Sequence, residues 1–356
     1  MIKEICIIGH PSYCGGADME LLHQLKCWYK MGIKIYICHT NPLIPYLKNM
    51  ELEKKYNVTY LNPRQWNEIQ GMHCISFCNG EFLNQLPKIK RHAKTTTFVN
   101  CMTWNFKKEI EMQSLGFIDF HLYQTNHAFE NISKNLKHLG TYRPLMFTPF
   151  FDVEKFPYYE NRDTDKFRFG RISRCDISKF DEDQLEIYDS INSPVEKSGV
   201  IMGWDQRIKR KLLVENKDIT VKSKNGKDFE FYKDYIQLLK EGSISQQEFY
   251  KFCDVLIMKT NTFENLPRVG MEAMASGSIL VVDNKGGWTI EVEDGVTGFL
   301  CNDSIDFIER SSLLANNKEL KEEIRRSARG RILNTWGFEE SAKSWELIFN
   351  EWERKS

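Results

Sequence analysis

Short apolar runs rich in β-branched residues alternate with amphipathic stretches through the first half of the chain. KEICIIGH at 3–10 predicts a first strand that ends in the turn PSYCGG, and apolar residues then recur at helical spacing within 17–31. This alternation is typical of α/β domains built on parallel sheets. Further strands are predicted at 33–40, 57–61, 73–77, 95–101 and 120–125.

The alternation stops at 141–166, where three prolines and the lack of a clear period predict a connection between domains. A second α/β series follows, and the segment from about Asp306 to Glu353 is predicted to be helical, with tryptophans as burial anchors. The predicted architecture is α/β: two Rossmann-like domains at 1–150 and 151–335, with a C-terminal helix at 336–356. The second series has strands at 166–173, 199–203, 218–222, 254–260 and 278–283, with helices at 245–253 and 266–276.

Composition places the chain among ordinary globular proteins. Hydrophobic residues make up 41% and charged residues 28%, which excludes disordered, collagenous and coiled-coil classes. Forty-nine basic residues balance forty-nine acidic ones, so no net charge draws the chain to DNA or anionic lipid. The ten cysteines include no Cys-x-x-Cys pair, so we expect buried thiols and no metal site. No signal or membrane-spanning segment is evident, which predicts a cytoplasmic protein.

The segment 260–300 carries the most chemical information. Asn265 follows a predicted strand and is a candidate N-cap, with Pro267 in the first helical turn. The first amides of a helix lack intrahelical partners and lie at its positive end, which suits a phosphate group. The candidate donors are the backbone amides of Leu266, Arg268 and Val269.

Two glutamates bracket this predicted phosphate site. Glu264 lies at the carboxyl end of its strand, where open α/β sheets bind ligands. Glu272 is predicted to lie nearly two turns into the following helix. A pair of carboxylates around an anion site is the arrangement that a sugar attached to a diphosphate needs.

The block from Glu264 to Leu300 is similar to the Glu-x7-Glu block of family-4 retaining glycosyltransferases. The shared features are seven residues between the glutamates, a helix of small residues, a double glycine, and an acidic-Gly-x-Thr-Gly turn. The resemblance extends over most of the chain and is weakest at 40–140. It includes the Gly15-Gly16-Ala17-Asp18 loop, FGRISRCDISKF at 169–180, PFFDVEKF at 149–156, GSISQQEFYKFCDVLIM before the block, and the tryptophan-rich tail.

The resemblance implies the two-domain GT-B fold and transfer of a sugar from a nucleotide diphosphate, with UDP-sugars favoured and with retention at the anomeric carbon. Glu272 would hold the ribose hydroxyls, and Glu264 the sugar ring. The departing phosphate would accept the acceptor's proton, and basic side chains would take the place of a metal, so no cofactor is expected. The implied catalytic residues are Glu264, Arg174 and Lys179. The implied donor-binding residues are Gly15, Gly16, Arg171, Asn265, Leu266, Arg268, Val269 and Glu272.

Three departures from the family pattern leave details open. The family's Glu-Gly-Phe-Gly is replaced by Glu-Asn-Leu-Pro at 264–267, and the proline removes one amide donor. Either Arg174 or Lys179 could be the second phosphate clamp. The family's histidine near the sugar 6-hydroxyl is absent from VNCMTWNF at 99–106, which indicates a donor such as a pentose or simply a different contact.

The acceptor is not identified by the sequence. Asp18, Trp104 and His127 are candidates for the acceptor side, and a polysaccharide, a glycolipid or the 5-hydroxymethylcytosine of phage DNA are candidate acceptors. The basic runs 88–94 and 207–211 are interpreted as solvated faces.

Two alternatives to a transferase remain at this point, and the oligomeric state is not indicated. A nucleotide-sugar epimerase of the same fold would need acid and base groups that we do not find. A non-catalytic nucleic-acid or carbohydrate-binding module would have little use for both glutamates.

Overall fold

The computed structural model describes residues 2–9, 15–41, 51–160, 165–213, 218–224 and 227–355. The chain divides into two compact units. The first comprises Met1–Asp152 with Asn334–Ser356, and the second comprises Val153–Leu333.

The first unit is built on a parallel sheet of seven strands in the order β3-β2-β1-β4-β5-β6-β7. Its central strands are buried on both faces, as parallel sheets covered by helices require. The elements in chain order are β1 Glu4–Ile8, α1 Gly16–Lys30, β2 Lys34–Cys38, α2 Leu52–Tyr56, β3 Thr59–Leu61, β4 His73–Phe77, α3 Gly80–Ile89, β5 Thr95–Val99, α4 Lys107–Ser114, β6 Phe120–Tyr123, α5 Asn126–Ser133 and β7 Pro144–Met146.

The second unit has an eight-stranded sheet in the order β10-β11-β12-β9-β8-β13-β14-β15. The pairs β10–β11 and β11–β12 are antiparallel, and the other pairs are parallel. Its elements are β8 Lys166–Ile172, α6 Gln184–Ser190, β9 Glu196–Met202, α7 Gln206–Leu212, β10 Ile219–Lys224, β11 Lys227–Tyr232, β12 Ile236–Leu239, α8 Gln246–Phe252, β13 Val255–Met258, α9 Arg268–Ser276, β14 Ile279–Asp283, α10 Trp288–Glu291, β15 Gly298–Cys301, α11 Ser304–Asn316 and α12 Lys318–Thr335.

A final helix, α13 Phe338–Lys355, belongs to the first unit. The ring of Trp345 packs edge-on against Trp28 of α1, with ring centroids 4.9 Å apart. Trp345 Nε1 also donates to Gln24 Oε1 over 2.8 Å, so the indole keeps a polar partner after burial. The predicted return of the C-terminal helix onto the first domain is therefore present.

Four strands were not predicted. β7 lies inside the segment interpreted as a connection, and it has only three residues. β11 and β12 extend the second sheet through antiparallel pairs, and β15 follows the Asp-Gly turn at 294–295. The tail predicted as one helical region consists of α11, α12 and α13, because the helices end at Asn316 and Thr335.

Each sheet contains a position where the direction of succession of its parallel strands reverses. In the first unit it lies between β1 and β4, and in the second between β8 and β13. Loops at the carboxyl ends of such neighbouring strands diverge and leave a crevice, which is where open α/β sheets bind ligands. Each unit therefore has one such candidate crevice for a ligand.

Candidate functional site

The Glu-x7-Glu block lies at the strand reversal of the second unit. Glu264 is in the loop after β13, and Glu272 lies on α9 just over one turn from its start. The helix begins at Arg268, later than predicted, because Pro267 has an extended ψ of 105° and is itself the N-cap residue. The prediction of Asn265 as the N-cap is therefore wrong. The amides of Arg268 and Val269 belong to the first turn, and that of Leu266 precedes the helix.

The double glycine of the block allows the loop at Glu264 to pass close to α10. Gly287 N donates to Glu264 O over 2.8 Å. A Cβ atom on Gly286 would lie 2.6 Å from Glu264 O, and one on Gly287 would overlap Asn265 O. Any side chain at either position would push the loop away, so the glycines fix where the Glu264 carboxylate is presented.

Lys179 and Glu264 are brought together although 85 residues separate them. Lys179 lies in the short 3-10 turn Ile177–Lys179 after β8, and its Nζ is 2.8 Å from Glu264 Oε1. About a fifth of each side chain is exposed, 22% and 20%, so a ligand can reach the pair. Arg174, the other candidate clamp, lies five residues earlier with an exposed side chain.

Arg171 differs from its prediction as a phosphate-contacting residue. Its side chain has no exposed surface, and its guanidinium lies over the ring of Phe180 at 3.8 Å. Nη1 donates to Gln184 Oε1 over 2.8 Å and Nη2 donates to Lys179 O over 2.7 Å. Burial lowers the pKa of Arg171 to about 10. A guanidinium used in this way anchors the backbone that carries Lys179, and offers no face to a ligand in this structure.

Lys259, which sequence reasoning did not identify, follows β13 and contacts the loop after β8 that carries Lys179. Its Nζ lies 2.9 Å from Asp181 Oδ1, 2.6 Å from Asp183 Oδ2 and 2.9 Å from Ser304 Oγ. Three oxygen partners satisfy all three ammonium protons. Lys259 and Arg171 together therefore fix the loop from both sides.

Glu272 is a buried carboxyl with two protein donors. Tyr250 Oη donates to Glu272 Oε2 over 2.9 Å, and Gln246 Nε2 donates to the same oxygen over 3.1 Å. Burial raises the pKa of Glu272 to about 7, although the charge of Arg268 and the bond from Tyr250 oppose the rise. The carboxyl therefore changes its charge near neutral pH.

A third acid, Glu291, is part of this cluster and was missed by sequence reasoning. It ends α10, is fully buried, and has no hydrogen bond to either carboxylate oxygen from the described residues. Burial raises the pKa of Glu291 well above its usual range, with the positive charges of Arg268 and Arg331 opposing the rise. The signal in the sequence is an acidic residue inside the apolar run WTIEV, between the double glycine and the Asp-Gly turn.

The first unit has a polar cavity at its own strand reversal. It measures about 260 Å³ and is lined by the carboxyl ends of β1 and β4 and the starts of α1 and α3. Asp18, predicted for the acceptor side, is among the lining residues. The others are Ile8, Gly9, Leu21, Ser76, Phe77, Cys78, Asn79 and Gly80.

The remaining predicted residues of the first unit are placed as follows. Gly15 is the N-cap of α1 with a φ of 101°, a backbone angle that favours glycine, and Gly16 is the first residue of that helix. Residues 10–14, which form most of the preceding turn, lie outside the described residues. Trp104 is 50% exposed and packs on Phe106, and His127 lies on α5 with its Nε2 3.1 Å from Asn131 Nδ2. Neither Trp104 nor His127 lines the cavity.

The described part of the chain holds neither a cluster of metal ligands nor a membrane-spanning helix. It contains no group of three His, Cys, Asp or Glu side chains that could hold a metal ion. None of its helices combines the length and apolar character needed to cross a bilayer.

Part of the second unit matches a known family model. Residues 230–331 match the family model described as glycosyl transferases group 1, a segment that includes both glutamates of the block. The matched segment is under a third of the chain, so the match shows a likeness to this family within the second unit. The resemblance to glycosyltransferases and the predicted pair of Rossmann-like domains are thereby confirmed.

Individual relatives are distant. Spore coat protein SA of Bacillus subtilis (strain 168) is 27% identical over 120 residues, which are 33% of this chain and 31% of that protein. The match thus spans about a third of the curated relative.

Solved structures match over nearly the whole chain. HepE of Anabaena in complex with UDP and glucose has a TM-score of 0.69 at 12% identity, covering 98% of this chain and 100% of that one. A mutant of S. aureus TarM, solved with UDP among its ligands, has a TM-score of 0.73 at 12% identity with the same coverage. Sucrose-phosphate synthase of Thermosynechococcus elongatus has a TM-score of 0.70 at 13% identity, covering 99% of this chain and 100% of that one. At these identities the likeness establishes the fold.

Proposed function

We propose that this chain is a retaining glycosyltransferase that moves a sugar from a nucleoside diphosphate, with uridine favoured, to a hydroxyl group of an acceptor. The observation that carries the proposal is the 2.8 Å pair of Lys179 Nζ and Glu264 Oε1 at the strand reversal of the second unit, beside the start of α9. The two neighbours solved with UDP support the choice of nucleotide.

Each part of the donor is assigned to groups of the second unit. The diphosphate is bound by Lys179 and Arg174 together with the first amides of α9, where the helix dipole favours negative charge. Glu264 binds hydroxyls of the transferred sugar, and Glu272 binds those of the ribose. Arg171 acts indirectly, through its bond to the Lys179 carbonyl.

The transfer step needs charge stabilisation at the leaving group. The acceptor oxygen bonds to the anomeric carbon while the bond from that carbon to the β-phosphate oxygen breaks. The hydroxyl proton passes to the phosphate oxygen on the same face, and the nucleoside diphosphate leaves. Negative charge grows on the β-phosphate, so the fixed ammonium of Lys179 lowers the barrier without a metal ion.

The acceptor is assigned to the first unit. Asp18 and its cavity offer polar groups suited to hydroxyls of a polysaccharide or glycolipid, whereas a DNA base carrying a hydroxymethyl group would need a basic channel. Trp104 is 50% exposed, and the part of its ring that does not pack on Phe106 acts as a platform for a sugar ring. We therefore place carbohydrate acceptors ahead of hydroxymethylated DNA.

A thermal-shift screen of UDP, GDP, ADP and their sugar conjugates, without added metal, tests the donor site. A ligand at about 100 times its dissociation constant adds roughly 2.7 kcal/mol to the free energy of unfolding. We expect one nucleotide family to stabilise the protein, and Glu272→Ala to abolish that shift. The matched control is Glu309→Ala, which removes an exposed carboxylate on α11 and should leave the shift unchanged.

The outcomes separate the alternatives. No shift with any nucleotide would contradict the proposal and favour a non-catalytic binding module. A shift accompanied by conversion of the nucleotide-sugar into its epimer, with no acceptor present, would favour an epimerase. Sugar transferred to an added carbohydrate or to hydroxymethylated DNA would identify the acceptor.

A further inference from the structure

Two side chains of α8 hold a single oxygen of Glu272. Tyr250 Oη and Gln246 Nε2 both donate to Oε2, at 2.9 Å and 3.1 Å. In the described part of the chain, no hydrogen bond ends on Oε1 of this carboxylate. A carboxylate oxygen has two lone-pair sites, so Oε1 retains acceptor capacity for two hydroxyl groups.

The helix that carries the two donors is fixed at its start, and of the two side chains Tyr250 is buried and Gln246 is exposed. Ser245 caps α8, with its Oγ accepting from Glu248 N over 3.1 Å while Glu248 Oε2 accepts from Ser245 N over 2.8 Å. This reciprocal capping box fixes the first turn, which contains Gln246. Tyr250 is fully buried. The position of Oε2, and with it the direction in which Oε1 faces, is therefore set by α8.

Two described acceptors lie within reach of the single proton of the Tyr250 hydroxyl. Glu272 Oε2 lies at 2.9 Å and the carbonyl oxygen of Val269 at 3.2 Å. A bond to an ionised carboxylate is stronger than one to a neutral carbonyl, so the proton goes to Glu272 when that group is charged. Tyr250 thus favours the ionised, acceptor-only form that a ribose diol requires.

We propose that Tyr250 and Gln246 are positioning residues that hold Glu272 Oε2 and thereby aim Oε1 at the two ribose hydroxyls of the donor nucleotide. This inference rests on the proposed function, and it makes the site selective for ribonucleotides over 2′-deoxyribonucleotides. A site built to accept two hydroxyl protons discriminates against an analogue that supplies one, because the buried oxygen loses a partner.

The test compares the affinities of UDP and 2′-deoxy-UDP by calorimetry, with GDP and ADP pairs treated in the same way. Hydrogen bonds to charged groups predict that the wild type prefers the ribonucleotide by roughly tenfold or more. Tyr250→Phe keeps the ring and removes the donor. We expect it, and Gln246→Ala, to weaken ribonucleotide binding while leaving 2′-deoxynucleotide binding nearly unchanged, so that the preference falls below about threefold.

Matched variants separate positioning from stability. Tyr188 is also fully buried, and its Oη donates to Ile257 O over 2.9 Å, so Tyr188→Phe removes a comparable bond away from Glu272. Gln247 is the exposed neighbour of Gln246, and its Nε2 donates to Lys155 O over 3.0 Å. We expect Tyr188→Phe and Gln247→Ala to leave the preference at its wild-type value, even where they lower the melting temperature.

Two results would overturn the inference, and they are distinguishable. If the wild type binds both nucleotides of a pair and the preference survives in Tyr250→Phe and Gln246→Ala, then these residues do not position Glu272. If the wild type binds none of the nucleotides, the proposed donor site itself fails.

Discussion

The carboxylate of Glu291 lies against the α-carbon of Gly270. A Cβ atom on Gly270 would overlap Glu291 Oε2 and would lie 2.7 Å from Trp288 Cζ3. The smallest residue is thus what lets α9 and α10 approach closely enough to enclose Glu291. That acid, with Arg268 and Glu272, gives the candidate site a buried floor of ionisable side chains.

Gly270→Ala tests this contact directly. Alanine normally stabilises a helix interior by about 0.5–1 kcal/mol relative to glycine. At position 270 the overlap with Glu291 and Trp288 should outweigh that gain and lower the free energy of unfolding by roughly 1–3 kcal/mol. Gly330→Ala on α12, where a Cβ would meet no atom within 4 Å, is the control and should stabilise. Chemical denaturation measures both, and equal effects would refute the close packing.

The charge state of Glu272 makes stability depend on pH. Its pKa rises from 4.5 to about 7 on folding, so the unfolded chain loses this proton first as pH increases. The stability contributed by the protonated form is complete below pH 4.5 and is lost as pH rises through about 7. That difference corresponds to about 3 kcal/mol.

Glu272→Gln should therefore become more stable relative to the wild type between pH 4.5 and pH 8, because it has no proton to lose. Denaturation curves at the two pH values, with Glu309→Gln as the exposed control, give the difference. A constant gap between wild type and Glu272→Gln would mean that Glu272 does not titrate in this range. Because the charge of Glu272 raises the pKa of Glu291, the difference between wild type and Glu272→Gln reports the titration of both acids.

Lys179 and Arg174 can be separated by comparing UDP with uridine. A clamp for the diphosphate should contribute to binding of the nucleotide and not of the nucleoside. We expect Lys179→Met to weaken UDP binding about tenfold or more and to leave uridine binding unchanged, with a smaller effect of Arg174→Met. The protein should remain stable to within about 1 kcal/mol, since the ion pair with Glu264 is partly exposed.

Calorimetric titrations of both ligands decide this, and Lys318→Met on α12 supplies an exposed control. Equal losses for UDP and uridine in Lys179→Met would indicate a distorted site. A larger effect of Arg174→Met would assign the clamp to that residue.

Arg171 should behave as a structural residue. Arg171→Met leaves Lys179 O without its guanidinium donor, and Gln184 Oε1 keeps only the bond from Lys259 N. A buried acceptor that loses its partner costs about 1–3 kcal/mol. We expect a destabilisation of at least 2 kcal/mol, roughly, by chemical denaturation. Arg174→Met removes an exposed side chain and should change stability by about 0.5 kcal/mol or less. Similar stabilities for the two variants would contradict the anchoring role.

Local pattern was sufficient for most elements of the fold. Strands such as His73–Phe77 and Ile279–Asp283 are continuous apolar runs, which identify buried parallel strands without any knowledge of their neighbours. The three-residue β7 has too few positions to display a period. β12 has only four residues, three of them apolar and buried, and β11 pairs with it and with β10.

The start of α9 illustrates how a local rule can fail. Asparagine is a good N-cap, and the sequence placed Asn265 there. The double glycine instead draws the backbone of Glu264 and Asn265 against α10, and the helix begins only after Pro267. The deciding contact comes from residues more than 20 positions away, so no local propensity could reveal it.

The sequence by itself determined the two α/β series and the spacing of Glu264 and Glu272, because both depend on residues close together in the chain. Only the tertiary structure decided which cation meets Glu264, which donors hold Glu272, and that Arg171 is buried beneath the loop of Lys179. Those contacts join strands and helices brought together by the order of strands in the sheet. Charge interactions and hydrogen bonds act over a few ångströms. These contacts therefore depend on the order of strands in the sheet and not on separation along the chain.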